Sequence, residues 1–206
     1  MISWSLANIF QFISFISPSL IAFFLFMSSI FNQDLKGFVY LAGAMFATCL
    51  NRIAQSIIAT PPSANRSVAC SFFNGFPFKL FSTEISTQPS TASMFIAFTT
   101  TYLVMPMYYN NQINYPIIIT FFSLFMINAW TNVANNCTPT TGAILGGLIG
   151  IVCALSWFSI FKGGGMSKLL YFNEVTSNKV MCEKPTDQQF KCEVYKNGQL
   201  ISKKAM

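Results

Sequence analysis

Long apolar stretches alternate with short polar stretches along the whole first part of the chain. A helix needs about 20 apolar residues to cross the hydrocarbon core of a bilayer, and each stretch approaches that length. The chain is therefore predicted to be an all-α polytopic membrane bundle of about five transmembrane helices. The predicted spans are residues 5–31, 38–59, 89–109, 115–134 and 142–161.

The third span begins at a polar, turn-rich segment, Gln88-Pro89-Ser90-Thr91. Proline suits the first turn of a helix because the N–H group that it lacks would have no helical partner there. Ser90 and Thr91 can accept hydrogen bonds from exposed N–H groups of the same turn. The segment is therefore predicted to cap a helix, and a helix N-terminus that opens onto a polar loop can also bind an anion.

The loop over residues 60–88 combines helix-breaking prolines and a glycine with several phenylalanines. We expect it to be irregular and to pack on the bilayer surface or over the helix ends. It contains the sequon Asn65-Arg66-Ser67, so Asn65 is a glycosylation candidate if this side of the membrane is lumenal.

Small residues mark the fifth predicted span. Gly142, Gly146, Gly147 and Gly150 recur along it at spacings that place small faces on a helix. Such faces let two helices approach closely inside a membrane. Close packing of this span against another helix is therefore expected.

The chain after residue 161 is polar and is predicted to form a tail with a small β element. Asn197-Gly198 is a strong signal for a hairpin turn, and residues 190–195 and 199–202 would pair across it. Residues 179–183 could add a third strand to form a meander. Cys182 and Cys192 would then face each other, as a disulfide or, more simply on a cytosolic face, as reduced thiols. The predicted domains are thus 1–161 and 162–206.

Composition supports a membrane protein, since 53% of the residues are hydrophobic and only 9% are charged. Eight of the twelve Lys and Arg residues follow Phe161, so the positive charge is explained by a basic tail beside the membrane rather than by nucleic-acid binding. This bias favours a cytoplasmic tail. No cleavable signal peptide is expected, because residues 1–15 lack a basic start.

The sequence contains no histidine and no Cys-x-x-Cys pair. Histidine-based catalysis and histidine metal sites are therefore excluded, and no metal or cofactor is predicted. Arg52 is the one charged residue inside a predicted span. Its side chain could reach the headgroup level or could enter a buried polar pocket, and the sequence leaves both open.

The order of these features resembles the type 2 phosphatidic acid phosphatase and haloperoxidase-like superfamily, over residues of about 35–161. That family has three signature segments: a Lys-containing helix end followed by Arg-Pro, then Pro-Ser-Gly-His opening a helix, then Ser-Arg with a later His and Asp leading into a Gly-rich helix. The positions that match these segments form a degenerate pocket by resemblance. They are Asn51, Arg52, Ser90, Thr91, Ala92, Asn132, Thr138 and Gly142.

The departures from the family pattern argue against catalysis. In the family, Lys and Arg hold a phosphate, one His attacks phosphorus, and a second His oriented by Asp acts as acid and base. The nucleophile position holds Ala92, the second His position holds Thr138, and the Asp position holds Gly142. Asn132 stands where the family has an arginine, which leaves only Arg52, about one residue out of register, to bind a phosphate. The resemblance thus implies a pseudophosphatase and not an enzyme, because losing one cooperating group already costs orders of magnitude in rate.

The resemblance places Cys70 and Cys137 in the two loops that would flank the pocket. If that side of the membrane is oxidising, the two cysteines are candidates for a disulfide that closes it.

Three functions remain open from the sequence. The first is a non-enzymatic, structural integral membrane protein whose tail, residues 166–206, binds other membrane or capsid proteins. In this the chain resembles proteins of large DNA viruses with an internal virion membrane. The second is a phospholipid-binding pseudoenzyme that uses Arg52 and the Ser90 helix end, with membrane lipids as partners. The third is a lipid phosphatase with a different mechanism, for which no adjacent base is visible.

Overall fold

The computed structural model describes residues 6–61, 63–65, 67, 70, 86–171, 191–196 and 199–205. The chain divides into two compact units, Met1–Thr176 and Ser177–Met206. The first unit is a helical bundle and the second contains a pair of strands. The bundle helices are α1 (Leu6–Phe31), α2 (Lys36–Ile58), α3 (Thr91–Tyr109), α4 (Tyr115–Ala134) and α5 (Thr140–Gly163), and a 3-10 helix follows at Ser167–Leu169.

The helix bounds agree with the predicted spans to within two residues, and those of α4 coincide with them. Four of the helices are long and apolar enough to cross a membrane, namely α1 from Asn8 onward, α2, α4 and α5. The prediction of membrane-spanning helices is confirmed for these four. A fifth crossing by α3 stays a prediction, because this helix does not meet the same standard of length and hydropathy.

The helix α3 is the central element of the bundle. Twelve of its nineteen residues are buried, and Met94, Ile96 and Phe98 have no exposed surface at all. The outer helices instead leave many large apolar side chains uncovered, among them Phe24 on α1 and Trp130 on α4. Such faces suit contact with lipid acyl chains. Because its neighbours cover it, α3 tolerates the more polar run Thr99-Thr100-Thr101.

Contacts at the helix ends show that the bundle has two distinct ends. The start of α3 meets the start of α5, where Ser90 N donates to Gly142 O at 2.9 Å. At the other end, Tyr109 of α3 stacks on Phe158 of α5 with ring centroids 5.3 Å apart. The two helices therefore run parallel. We call the first the disulfide end, because it carries the Cys70–Cys137 disulfide, and the second the tail end, because the chain leaves α5 there.

Glycines bring α3 and α5 into close contact, as the sequence predicts. A Cβ atom added at Gly146 would overlap the backbone oxygen of Ser90, and one added at Gly150 would overlap Met94 O. The third member of this spacing, Gly142, would place its Cβ 2.8 Å from Gln88 Cγ. Residues spaced four apart lie on one face of a helix, so Gly142, Gly146 and Gly150 share one face of α5. Because glycine has no side chain, the backbones of α3 and α5 can approach closely along this face.

The segment after α5 folds back onto the tail end of the bundle. Tyr171 is buried, and its hydroxyl donates to the carbonyl oxygen of Leu25 on α1. Its ring also lies edge-on to Tyr40 of α2, with centroids 6.5 Å apart. The chain as far as Tyr171 therefore packs against the bundle.

A compact polar turn joins α1 to α2 at the tail end. Ser29 Oγ lies 2.7 Å from Asp34 Oδ1 and accepts a hydrogen bond from Gly37 N. Burial opposes ionisation of Asp34, but the hydrogen bonds from Ser29 and Lys36 and the charge of Lys36 together hold the pKa of Asp34 below its ordinary value. The ammonium of Lys36 lies 3.4 Å from the Asp34 carboxylate.

The second unit contains two antiparallel strands, β1 (Lys191–Lys196) and β2 (Gln199–Ala205). Lys196 pairs with Gln199, and the register shifts between Val194 and Tyr195. The predicted turn Asn197-Gly198, the predicted third strand with Cys182, and the side chain of Cys192 lie outside the described residues. The hairpin and the pairing of these two cysteines stay predictions.

Candidate functional site

Several of the positions that match the phosphatase family segments meet at the disulfide end, around the start of α3. Ser90 is the N-cap of α3, and its side chain accepts a hydrogen bond from Ser93 N at 3.3 Å. The predicted capping role of Ser90 is therefore seen in the structure. Thr91 begins the helix one residue later and turns its hydroxyl toward α2.

Two amide side chains of α2 hold the start of α3. Gln55 Nε2 donates to Pro89 O at 2.7 Å and to Thr91 Oγ1 at 3.2 Å. Asn51 Nδ2 reaches the same two oxygens, at 3.4 Å and 3.2 Å. We call Asn51 and Gln55 together the amide clamp. Both side chains are buried, so the clamp satisfies a carbonyl that would otherwise lack a partner away from water.

The start of α5 closes the other side of the site. Thr138 Oγ1 donates to Thr87 O at 2.8 Å, and Gly142 O accepts from Ser90 N. An added Cβ at Gly142 would overlap Thr138 Oγ1. Direct contacts thus join α2, the start of α3 and the start of α5 through the backbone from Thr87 to Ser90. We call this set of contacts the junction.

Not every predicted position faces this junction. Ala92, at the family's nucleophile position, is buried within the apolar core. Asn132 touches the junction only through its backbone oxygen, which accepts from Cys137 N at 2.8 Å. Its side chain donates instead to Asn128 Oδ1 at 2.9 Å, and Asn128 Nδ2 donates to Ser14 O at 2.9 Å. Asn132 therefore belongs to a buried polar contact between α4 and α1.

Arg52 lies at the edge of the site and is partly buried. Its guanidinium nitrogen Nη1 donates to Gln55 Oε1 at 3.0 Å. The arginine therefore supports the amide clamp from the side, by fixing the amide whose nitrogen binds Pro89 O. The sequence left open whether Arg52 reaches the headgroups or enters a polar pocket. In the structure Arg52 contacts Gln55, which in turn contacts the backbone at the start of α3.

The chemistry of the site is that of neutral amides and hydroxyls. The whole sequence lacks histidine, and among the residues that the structure describes no group of three or more Cys, Asp or Glu side chains could hold a metal ion. No carboxylate contacts Ser90, Thr91 or Thr138 in the described ranges. A hydroxyl without an adjacent base is a weak nucleophile.

The flanking loops carry the disulfide that the resemblance suggested. Cys70 and Cys137 are bonded, with their Cα atoms 5.3 Å apart. The disulfide ties the connection between α2 and α3 to the connection between α4 and α5. Ser67 N donates to Asn135 O at 3.2 Å and strengthens the same link. Asn65 is exposed in a turn close by in sequence.

Sequence reasoning missed Gln55, although a signal was present. Asn51 and Gln55 are four residues apart and so lie on one helix face, together with the buried Ala44, Ala47 and Thr48. Polar amides on the buried face of a membrane helix indicate hydrogen bonds to a neighbour. The partner carbonyl of Pro89 could not be predicted, because it belongs to irregular backbone.

Four helices that can span a bilayer place this chain in the class of multi-pass helical membrane proteins. No family model matches the chain, and no curated protein or solved structure matches it either. The resemblance to the phosphatase superfamily therefore stays a prediction from the sequence.

Replacing Gln55 by leucine should destabilise the bundle by about 1–3 kcal/mol, because a buried backbone carbonyl would lose its shortest hydrogen bond. The measurement is thermal unfolding of the purified protein in detergent. Ser56→Leu is the matched control, since Ser56 is exposed on the same helix and bonds only within it. Equal melting temperatures for wild type and Gln55→Leu would show that the clamp has no structural role.

Proposed function

We propose that this protein is a non-enzymatic structural component of a membrane, built on a scaffold that resembles the lipid phosphatases. One observation carries the proposal. The positions that resemble the family's catalytic segments lie where direct hydrogen bonds join α2, α3, α5 and the backbone before α3. Neutral side chains and glycines form the junction, so the former pocket serves to lock the helices together.

The burial of Ala92 supports the same conclusion. A substrate phosphorus would have to approach this position for chemistry by the family mechanism, yet Ala92 is only 5% exposed and packs in the apolar core. Replacing charged pocket groups by neutral ones removes the cost of burying charge. A catalytic site that has lost its charges can therefore become part of a stable core.

The proposed role of the chain beyond Tyr171 is to bind a protein layer on one side of the membrane, such as a capsid. Residues 172–206 contain six lysines and no arginine, and the two described strands carry four of these lysines. A short, basic strand pair is suited to bind an acidic partner or to extend a partner sheet. The viral setting is part of this proposal and is drawn from the sequence alone.

Site-specific photo-cross-linking in native membranes tests this role with the full chain. A photoreactive residue at Lys196 should give one discrete protein adduct, and the same residue at Phe122 should label lipid, because Phe122 lies exposed on the apolar face of α4. Charge reversal by Lys203→Glu and Lys204→Glu should abolish the Lys196 adduct. Lipid labelling alone from both positions would contradict a docking role.

Phospholipid binding is the second candidate, and one observation favours it. Asn51 Oδ1 and Ser93 Oγ are buried at the start of α3 without a hydrogen-bond partner in the part of the chain that the structure describes. Arg52 follows Asn51 and could supply charge to a headgroup. Native mass spectrometry with an anionic phospholipid separates the candidates. Arg52→Ala leaves lipid retention unchanged for a purely structural junction and reduces it several-fold for a headgroup site.

A further inference from the structure

The disulfide end carries two glycosylation sequons. Asn65-Arg66-Ser67 is the first, and Asn136-Cys137-Thr138 is the second. Asn65 is exposed in a turn, and Asn136 is exposed in the turn that follows α4. Asn136 directly precedes Cys137 of the Cys70–Cys137 disulfide, and Asn65 lies five residues before Cys70 in the sequence. Disulfides persist in oxidising compartments, which are also where Asn residues of sequons are modified.

Three lysines lie at the tail end of the bundle, six more lie in residues 172–206, and the other three basic residues lie between residues 52 and 79. Lys36 begins α2 there, Lys162 lies in the last turn of α5 over the ring of Tyr109, and Lys168 follows in the 3-10 helix. With the basic residues further along the chain, nine of the twelve Lys and Arg residues are Lys36 or follow Phe161. Basic residues beside membrane helices favour the cytoplasmic side.

We infer that the disulfide end faces the lumen of the secretory pathway, that the chain beyond Tyr171 lies in the cytoplasm, and that Asn65 is an N-glycan acceptor. Charge and redox chemistry point independently to this orientation, and both sequons lie on the side that it assigns to the lumen. The inference goes beyond the proposed function, because it holds whether or not the tail binds a protein.

The two sequons differ in the accessibility of their hydroxyl residue. Thr138 is buried, and its hydroxyl donates to Thr87 O, so the second sequon is part of the site itself. Asn136 also follows the end of α4 by only two residues, which keeps it close to the membrane. Asn65 lies seven residues beyond the end of α2, on the connection between α2 and α3. The structure therefore favours Asn65.

The modification is a group transfer from a polyprenyl-diphosphate-linked oligosaccharide. The Asn65 side-chain nitrogen forms a bond to the anomeric carbon of the first sugar and loses one proton. The bond between that carbon and the phosphate oxygen breaks, and the polyprenyl diphosphate leaves.

Translation of the full chain into sealed endoplasmic-reticulum microsomes tests the inference. We expect one electrophoretic shift of a single glycan, which a peptide N-glycosidase removes. Asn65→Gln should abolish the shift, and Asn136→Gln, the matched control, should leave it intact. Added trypsin should cleave the tail without detergent, which reports its cytoplasmic position separately.

Each other outcome overturns a stated part of the inference. A shift lost only in Asn136→Gln refutes Asn65 as the acceptor. An unshifted wild type with a trypsin-sensitive tail also refutes glycosylation at Asn65. A tail that trypsin cannot reach until detergent is added refutes the orientation.

Discussion

Replacing Gly150 by alanine is expected to destabilise the bundle more than the same replacement at Gly147 or Gly163 of α5. The new Cβ would overlap Met94 O and would lie 2.9 Å from Phe98 N, both backbone atoms of the central helix. Backbone atoms cannot turn aside as a side chain can, so α3 and α5 would have to separate. Overpacking of a well-filled core costs about 1–3 kcal/mol, and we expect Gly150→Ala to fall at or above the upper end.

Two other glycines of α5 provide graded controls for this prediction. A Cβ at Gly147 would meet the ring of Phe125 at 3.1 Å, and that ring can shift. At Gly163 an added Cβ has nothing within 4 Å. Thermal unfolding in detergent should therefore rank Gly150→Ala as least stable, then Gly147→Ala, then Gly163→Ala. A Gly150→Ala protein as stable as Gly163→Ala would contradict the close packing of α3 and α5.

Removing the Cys70–Cys137 disulfide is the second change with a large expected effect. The bond joins positions 67 residues apart, so it strongly restricts the unfolded chain. Cross-links that close long loops stabilise proteins by about 2–4 kcal/mol. The double variant Cys70→Ser with Cys137→Ser should therefore melt well below wild type, and reductant should lower the wild-type melting temperature to the same value.

The free cysteine Cys49 gives the matched control for that experiment. It is exposed on α2 and forms no disulfide, so Cys49→Ser should melt like the wild type. A double variant as stable as Cys49→Ser would show that the two loops are held together by other contacts.

The helices could be predicted because hydropathy and helix breakers act locally. Tyr115-Pro116 and the polar residues before and after α4 mark both of its ends, and the predicted and observed bounds coincide. The central position of α3 could not be predicted in the same way. A buried apolar residue and a lipid-facing one look alike in sequence, so the pattern does not show which helix its neighbours surround.

The sequence indicated several residues of the site, but it did not indicate which atoms they contact. Resemblance brought together Asn51, Thr91, Thr138 and Gly142, which the structure also places at one junction. The side chain of Asn132, another matched position, instead donates to Asn128, which in turn donates to Ser14 on α1. The orientation of the Asn132 side chain depends on Asn128, which lies one helical turn earlier and is not part of the family motif.

The sequence could suggest the Cys70–Cys137 pair but could not establish it, because separation along the chain says little about distance in space. Whether Cys70 and Cys137 could meet depended on how the ends of α2 and α4 pack. The structure places their Cα atoms 5.3 Å apart, inside the range that a disulfide requires. The sequon at Asn136 can be read from the sequence. The structure adds that it includes Cys137 of this disulfide.

Hydrolysis of a phosphate monoester lipid by the purified, folded protein tests most directly whether the junction at the start of α3 has become structural. The wild type should release phosphate no faster than a protein-free detergent blank, and Ser90→Ala should release it at the same rate. Phosphate release by the wild type that is lost in Ser90→Ala, while both proteins melt at the same temperature, would show that the site is catalytic.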